Sequence, residues 1–229
     1  MRLVLFDIDG TILTARGAGR RALAAALTAV YGTAGDIERY DLRGRTDPHI
    51  VFDLMEGAGL TRPAVRDRLD DCFEAYARGL AAEVGDGNGV VTLPGIADLV
   101  RRLDGAPEAL VGLLTGNIEA GARIKLEPTG LRPYFRLGAY GSDHLDRRQL
   151  PSLAARRAQA LTGQSFEPEQ VVVIGDTPHD IECARHFGAV AVAVATGQYT
   201  REALESERPD LLFDNFSDVD NAFGRLLSR

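Results

Sequence analysis

The chain opens with a short apolar run that ends in two closely spaced aspartates, and this feature constrains its fold most strongly. Residues 2–6 (RLVLF) predict a buried strand, and the segment DIDGT follows at residues 7–11. In open α/β sheets, ligands bind beyond the carboxyl ends of the parallel strands. Because a buried carboxylate without a partner is costly, the placement of Asp7 and Asp9 at such an end indicates a bound cation or a chemical reaction.

Apolar runs and helix-like stretches alternate along much of the chain, which predicts a Rossmann-like parallel sheet with helices on both faces. The predicted strands are Leu3–Phe6, Ala109–Leu114, Val171–Ile174 and Val190–Ala195. The predicted helices between them are Gly95–Leu103, Glu119–Glu127, Pro151–Thr162 and Asp180–Phe187.

The segment from residue 15 to residue 89 breaks this alternation. It predicts only helices, at Gly19–Tyr31, Asp47–Ala58 and Pro63–Glu83. Flexible linkers are predicted at both of its ends, and the second linker is rich in glycine. We therefore expect an α/β core formed by residues 1–14 and 90–229, with an all-helical domain inserted at residues 15–89.

Composition and charge argue against several classes of protein. With 229 residues, the chain is long enough for a sizeable core and a smaller second domain. Its formal net charge of −7 argues against non-specific binding to nucleic acid, which depends on neutralising phosphates. The two cysteines and four histidines show no spacing typical of disulfides or zinc sites. The sequence has no apolar run of transmembrane length and no signal-peptide pattern, so we expect a cytoplasmic protein without a membrane partner.

Three further motifs follow the paired aspartates, at or near the ends of predicted strands. Residues 115–117 (TGN) follow the second strand, and the segment from Asp176 to Asp180 follows the third. Between them lies Lys125, the single lysine among 26 basic residues. Taken alone, residues 115–117 can be an ordinary turn, and the last motif can be an ordinary helix N-terminus. In this order, the motifs together indicate a catalytic site.

On these motifs, the chain resembles the haloacid dehalogenase (HAD) superfamily, and within it the phosphatase branch that carries a helical cap. The resemblance covers essentially the whole chain, and the chain is similar to the phosphoglycolate-phosphatase-like members of that branch. The resemblance implies a Mg²⁺-dependent phosphomonoester hydrolase that acts on a small phosphorylated metabolite through an aspartyl-phosphate intermediate.

The resemblance also implies roles for the aspartates. Asp7 is the expected nucleophile, which divides one difficult displacement into two steps. Asp9 is the expected general acid, and then the general base that activates water. The expected ligands of Mg²⁺, which prefers hard oxygen donors and retained waters, are Asp7, Asp9 through its backbone carbonyl, Asp176 and Asp180.

A positive charge is needed beside the phosphoryl group. Many relatives carry a lysine just before the last motif, but residues 146–151 (DRRQLP) contain none. We therefore expect Lys125 to take this catalytic role, with its ammonium within hydrogen-bond reach of Asp7 or of a bound phosphate; Arg148 is the alternative. The residues expected to bind the phosphoryl oxygens are Thr115, Gly116 and Asn117.

Within the predicted insert, residues 44–47 (GRTD) resemble the substrate-specificity loop of the family. Arg45 is expected to bind a carboxylate or a second phosphate of the substrate through both of its outer nitrogens. The alternative is an ordinary loop arginine.

The alternatives to a phosphatase are a dehalogenase, a phosphosugar mutase and a protein without enzymatic activity. A metal-independent dehalogenase normally lacks the second carboxylate of the first motif, so Asp9 and Asp180 argue against it. A phosphosugar mutase shares the core motifs, but such relatives tend to carry a histidine in the first linker and a lysine in the cap, and this sequence has neither. A phospho-receiver or binding protein without enzymatic activity is the alternative of a different class. The sequence leaves the identity of the phosphate ester and the oligomeric state open.

Overall fold

A computed structural model describes residues 1–228 of the chain. The strands within these residues are β1 (Arg2–Phe6), β2 (Leu13–Thr14), β3 (Val91–Thr92), β4 (Ala109–Leu114), β5 (Leu137–Ala139), β6 (Val171–Gly175), β7 (Val190–Val194) and β8 (Leu211–Phe213). The helices are α1 (Ala18–Tyr31), α2 (Asp47–Gly57), α3 (Arg62–Arg66), α4 (Leu69–Val84), α5 (Ile96–Asp104), α6 (Glu119–Leu126), α7 (Leu150–Thr162), α8 (Pro178–Phe187), α9 (Arg201–Ser206) and α10 (Val219–Leu227).

The main sheet has β1 near its middle. Its strands are all parallel and lie in the order β5-β4-β1-β6-β7-β8. β1 is apolar because both of its faces are covered: Val4 and Phe6 belong to one core cluster, and Leu3 and Leu5 belong to the other. Burial of both faces explains why this strand reads as a continuous apolar run rather than as an alternating one.

The register of the sheet brings three strand ends together. Phe6 at the end of β1 pairs with Leu113 of β4 and with Ile174 of β6. The residues that follow these three strands therefore meet at one edge of the sheet, where ligands bind in parallel α/β folds.

Helices α1–α4 lie between β2 and β3, which pair antiparallel with each other. Gly79 of α4 packs against α1, where a Cβ atom added to Gly79 would lie 3.5 Å from the Cβ atom of Ala22. On another face, α4 meets α6, because Tyr76 and Leu80 lie beside Gly121. The inserted helices thus pack on one another and on a helix of the main sheet.

The strands and helices predicted for the core are confirmed, with bounds that differ by one or two residues. In the insert, the predicted helix Pro63–Glu83 is instead two helices, because Arg68 leaves the helical conformation with φ −121° and ψ 12°. The short strands β2, β3 and β8 and the helices α9 and α10 were not predicted from the sequence. None of the helices within residues 1–228 has the length and apolar character needed to cross a membrane.

Gly95, at the start of α5, is expected to tolerate no side chain. Its φ is +76°, and an added Cβ would lie 1.9 Å from the backbone oxygen of Phe216. Gly95→Ala should therefore lower the free energy of unfolding by about 3 kcal/mol or more, as measured by urea unfolding. The control is Gly130→Ala, where φ is +67° but the added atom meets nothing within 4 Å, so the cost should be about 1 kcal/mol. Equal losses in the two variants would contradict this packing.

Candidate active site

Asp7 and Asp9 follow β1 but have different surroundings. Asp7 is 5% exposed, and its backbone N–H donates to the Ile174 carbonyl of β6 at 2.9 Å. The chain then turns sharply, and the Ile12 amide donates to the Ile8 carbonyl at 2.9 Å. Asp9 lies in this turn with its side chain 45% exposed. The site thus contains one buried and one half-exposed carboxylate within three residues of sequence.

Asp7 forms a cluster with two aspartates from the end of β6 and the start of α8. One oxygen atom each of Asp7, Asp176 and Asp180 lie within 4.8 Å of one another, and all three residues are buried. The Asp176 carboxylate fills a slot between two glycines. A Cβ atom added to Gly10 would lie 2.3 Å from Asp176 Oδ2, and one added to Gly197 would lie 1.7 Å from the same atom. Glycine at both positions therefore leaves the space that this carboxylate occupies.

Asp180 is held by partners on both of its oxygens. Its Oδ2 accepts hydrogen bonds from the Thr177 amide (3.0 Å) and the Thr177 hydroxyl (2.7 Å), in a reciprocal cap at the start of α8. Its Oδ1 lies 2.5 Å from Nη2 of Arg147. Asp180 therefore caps the N-terminus of α8, as in the alternative interpretation of this motif, and it also belongs to the acidic cluster. Asp7 and Asp176 are left as the carboxylates with more oxygen available for a cation.

Negative charge is concentrated in this cluster. Burial raises the pKa of Asp7 to about 6, against the opposing effect of Arg147, and the charges of Asp180 and Asp9 raise it further. Burial also raises the pKa of Asp176 well above its ordinary value, and the charges of Asp180 and Asp7 add to this effect. A further cation would relieve this repulsion. Because buried carboxylates are the hard oxygen donors that Mg²⁺ prefers, the residues present fit the cation that the resemblance implies.

Arg147 supplies the positive charge beside Asp7, a role that was not predicted from the sequence. Its side chain is 8% exposed, with Nη2 3.3 Å from Asp7 Oδ1 and 2.5 Å from Asp180 Oδ1. Burial lowers the pKa of this guanidinium, but the charges of Asp180 and Asp7 outweigh burial and raise the pKa above its ordinary value. Arg147 therefore stays charged between two carboxylates of the cluster.

Arg148, the alternative offered by the sequence, lies outside the site. The Asp146 side chain accepts a hydrogen bond from the Arg148 amide at 3.0 Å and caps the short 3₁₀ turn Arg147–Gln149. The Arg148 guanidinium folds back onto the same Asp146, with Nη2 2.9 Å from Oδ2. Asp146, which precedes the two arginines, is the residue in the sequence that distinguishes them. Its side chain caps the turn and binds Arg148 at the surface, while Arg147 points inward.

Lys125 reaches the site, but it meets Asp9 rather than Asp7. Its side chain is 6% exposed, and Nζ lies 2.6 Å from Asp9 Oδ2 and 2.6 Å from Asn117 Oδ1. Of the two contacts expected for this ammonium, the one with Asp7 is absent among the contacts of residues 1–228, and the one with a bound phosphate stays a prediction. The two cations of the site serve different carboxylates: Arg147 pairs with Asp7, and Lys125 pairs with Asp9.

The turn after β4 is buried and internally bonded. Thr115 is fully buried, and Asn117 is 7% exposed. The Asn117 side-chain amide donates to Thr115 Oγ1 and to Asp9 Oδ2, at 2.8 Å each. Gly116 lies against the inserted segment, and a Cβ added there would lie 1.9 Å from the Arg45 carbonyl oxygen. The structure thus brings Asn117 into contact with Asp9, and Asn117 in turn bonds to Thr115 within the same turn.

The inserted segment closes the other side of a cavity of about 640 Å³ that contains Asp7 and Asp9. Arg45 lines this cavity, with Nη1 3.2 Å from His49 Nε2 and 3.6 Å from Asp53 Oδ2. Its Nε atom is buried and lacks a hydrogen-bond partner within the described residues. Further arginines line the same cavity, namely Arg16, Arg20, Arg39, Arg43 and Arg147. Glu38, Asp41 and Asp47 also line the cavity, and Asp41 pairs with Arg43. The cavity thus has carboxylates at its base and several arginines on its wall, which can bind an anionic ligand.

Comparisons with known sequences agree with the motifs. The model of the HAD-like hydrolase family (Hydrolase_like) matches residues 150–219. Phosphoglycolate phosphatase from Synechococcus elongatus is 34% identical over 135 residues, a match that spans 58% of this chain and 60% of the relative. The probable phosphatase IndB from Dickeya dadantii is 26% identical over 227 residues, which cover 98% of this chain and 94% of the relative.

Solved structures share the fold across nearly the whole chain. The crystal structure of CbbY from Rhodobacter sphaeroides in complex with phosphate has a TM-score of 0.74 and 22% identity, and the match covers 96% of each chain. A hydrolase from Pseudomonas syringae has a TM-score of 0.70 and 20% identity, and the match covers 99% of each chain. These similarities confirm the predicted α/β fold.

The acidic cluster is expected to make stability depend on Mg²⁺ and pH. Burial raises the pKa of Asp176 well above its ordinary value, so the contribution of this carboxyl group to stability is present below its ordinary pKa and is lost as the pH rises through the raised value. Asp176→Asn removes the group that must ionise, so in chelator it should melt at a higher temperature than the unchanged protein, by a margin that grows as the pH rises. Added Mg²⁺ should raise the melting temperature of the unchanged protein more than that of Asp176→Asn.

The control for this prediction is Asp67→Asn, which removes an exposed carboxylate far along the chain. It should leave the effect of Mg²⁺ unchanged. Thermal unfolding followed by circular dichroism gives both quantities. An equal effect of Mg²⁺ on Asp176→Asn and on the unchanged protein would show that this cluster does not hold the cation.

Proposed function

We propose that the chain, whose residues 150–219 match the model of the HAD-like hydrolase family and which is similar to phosphoglycolate phosphatases, hydrolyses the phosphate ester of a small metabolite through an aspartyl-phosphate on Asp7. The observation that carries the proposal is the cluster of Asp7, Asp176 and Asp180 beside a cavity that several arginines line. A nucleophilic carboxylate, a partner acid and cations that bind anions are the parts that phosphoryl transfer needs.

The reaction proceeds in two displacements at phosphorus. In the first, an Asp7 oxygen attacks phosphorus, the bond to the ester oxygen breaks, and Asp9 donates its proton to the departing alcohol. In the second, water attacks the phosphorus of the aspartyl-phosphate, and Asp9 takes a proton from that water. The bond between Asp7 and phosphorus then breaks, inorganic phosphate leaves, and both aspartates return to their starting states.

Lys125 and Asn117 orient Asp9 for these proton transfers. Both contacts are made to Oδ2 of Asp9, at 2.6 Å from Lys125 and 2.8 Å from Asn117. Asp9 lines the cavity, and its other carboxylate oxygen, which takes part in neither contact, is the one proposed to exchange protons with the ester oxygen and water. This geometry gives Lys125 a role that differs from the one expected from the sequence, because its charge acts first on the acid and base rather than on the nucleophile.

The phosphoryl group is held by groups on three sides. The turn at residues 115–117 supplies the Thr115 hydroxyl and backbone N–H groups, and Arg147 supplies the neighbouring positive charge. Asp7, Asp176 and the Asp9 carbonyl would hold Mg²⁺. Asp180 lies beside them and pairs with Arg147, which also contacts Asp7. When bound, this cation reduces the repulsion between the anionic nucleophile and the phosphate.

We further propose that residues 15–89 act as a cap, in which Arg45 binds a second anionic group of the substrate. Arg45 lines the cavity, and its Nε atom lacks a partner among residues 1–228. Several relatives are phosphoglycolate phosphatases, and phosphoglycolate carries a carboxylate beside its phosphate. A small ester with a carboxylate or a second phosphate is therefore the proposed substrate class.

The test of this function is phosphate release from a panel of small esters, with and without Mg²⁺. We expect Mg²⁺-dependent hydrolysis, and Asp7→Asn should lower kcat by about three orders of magnitude because the covalent route is lost. Asp143→Asn is the matched control, since Asp143 binds Arg157 outside the cavity. Interconversion of phosphosugars without phosphate release would favour a mutase, and the absence of any turnover would favour a binding protein.

Two adjacent arginines provide a second test of the site. Arg147→Ala should lower kcat/KM by about a hundredfold or more, because a charge beside the reacting group is removed. Arg148→Ala should change kcat/KM by less than about threefold, because its exposed pair with Asp146 contributes little. Circular dichroism would verify that both variants fold. A larger loss in Arg148→Ala would reverse this assignment.

A further inference from the structure

Asp47 is a buried acid of the inserted segment that the proposed chemistry does not use. It lies in the first turn of α2, where it is 7% exposed. Burial raises its pKa to about 6, while Lys125 and the hydrogen bond from Ile118 lower it and Asp9 raises it. Because a buried carboxylate is costly without compensation, its position calls for an explanation in terms of what it contacts.

Asp47 makes two hydrogen bonds to the turn after β4. Its Oδ2 accepts from the Ile118 amide at 2.8 Å, and its own amide donates to the Gly116 carbonyl at 2.7 Å. The two bonds fix the backbone on both sides of Asn117. The side chain of Asn117 in turn contacts Asp9 and Thr115. A residue of the insert thus fixes the backbone that carries the proposed phosphate-binding groups.

The surrounding contacts make this attachment close and specific. The Thr46 hydroxyl donates to the Leu145 carbonyl at 2.7 Å. A Cβ atom on Gly116 would lie 1.9 Å from the Arg45 carbonyl oxygen, and one on Gly141 would lie 2.0 Å from the Gly116 oxygen. Glycine at position 116 therefore allows the Arg45 carbonyl of the insert to approach the turn, and glycine at position 141 leaves space for the Gly116 carbonyl that accepts from Asp47.

We propose that Asp47 is a positioning residue that couples closure of the inserted helices to the geometry of the turn at residues 115–118. The cavity is lined by both the insert and the core, so the contacts between the two parts also determine the geometry of the site. Without Asp47 in place, the Ile118 amide and the Gly116 carbonyl lose these partners and the turn relaxes. The turn then reaches its reactive geometry only in the closed molecule, which ties phosphoryl transfer to the exclusion of water.

The experiment measures hydrogen exchange of the Ile118 amide, together with steady-state kinetics on the ester found active for the unchanged protein. The variants are Asp47→Ala, Asp47→Asn and the exposed control Asp67→Ala. We expect Asp47→Ala to raise Ile118 exchange about tenfold and to lower kcat by about tenfold or more, with KM changed less than about threefold. Asp47→Asn should restore both, because its carbonyl oxygen can accept the same bond. Asp67→Ala should change neither.

Several results would overturn the proposal. Unchanged Ile118 exchange in Asp47→Ala would remove the coupling, and an effect on KM alone would make Asp47 a ligand-binding residue. Equal damage in Asp47→Asn and Asp47→Ala would show that its charge matters rather than its hydrogen bond. If Asp47→Ala does not fold, Asp47→Ser replaces it, because a serine hydroxyl is too short to reach the Ile118 amide.

This inference rests on the proposed phosphatase function, but the two fail in different ways. If the unchanged protein hydrolyses no ester, the proposed function fails while the exchange measurement still tests the contact. If hydrolysis is observed and Asp47→Ala leaves both exchange and kcat unchanged, only the role of Asp47 fails.

Discussion

The arrangement of this protein depends on how the negative charge buried around Asp7 is balanced. Three aspartates lie within a few ångströms of one another at the edge of the sheet, and Arg147 is the side chain that bridges two of them. Gly10 and Gly197 leave the space in which Asp176 lies. Burying several like charges together lowers the stability of the fold. Clusters of carboxylates with raised pKa values are typical of catalytic sites.

Lys125 is the second buried cation of the site, and it pairs with a different aspartate from Arg147. Lys125 pairs with Asp9, and its charge also acts on the buried Asp47 of the insert. The charge of Lys125 therefore acts both on Asp9, the proposed acid and base, and on Asp47, which attaches the insert to the core. This arrangement links the chemistry at the sheet edge to the helices that cover it, through contacts that exist only while the insert and the core are together.

Much of this architecture could be predicted from sequence, because each motif follows a buried apolar strand and parallel strands end at one edge. Asp7, residues 115–117 and Asp176 are brought together for that reason. The sequence alone did not predict that Arg147, rather than Arg148, would contact Asp7. In a 3₁₀ turn, successive side chains point roughly 120° apart, so the cap provided by Asp146 decides which arginine faces inward. The contact between Asp47 and Ile118 joins residues 71 positions apart, and local patterns carry no information about such a pair.

The proposed mechanism depends on covalent phosphorylation of Asp7 during turnover. Mass spectrometry of the protein, quenched in acid during hydrolysis of an active ester, measures this step directly. We expect one added phosphoryl group on the peptide that contains Asp7, and no such group in Asp7→Asn. Full hydrolytic activity without such an adduct, or an adduct on another peptide, would contradict the mechanism.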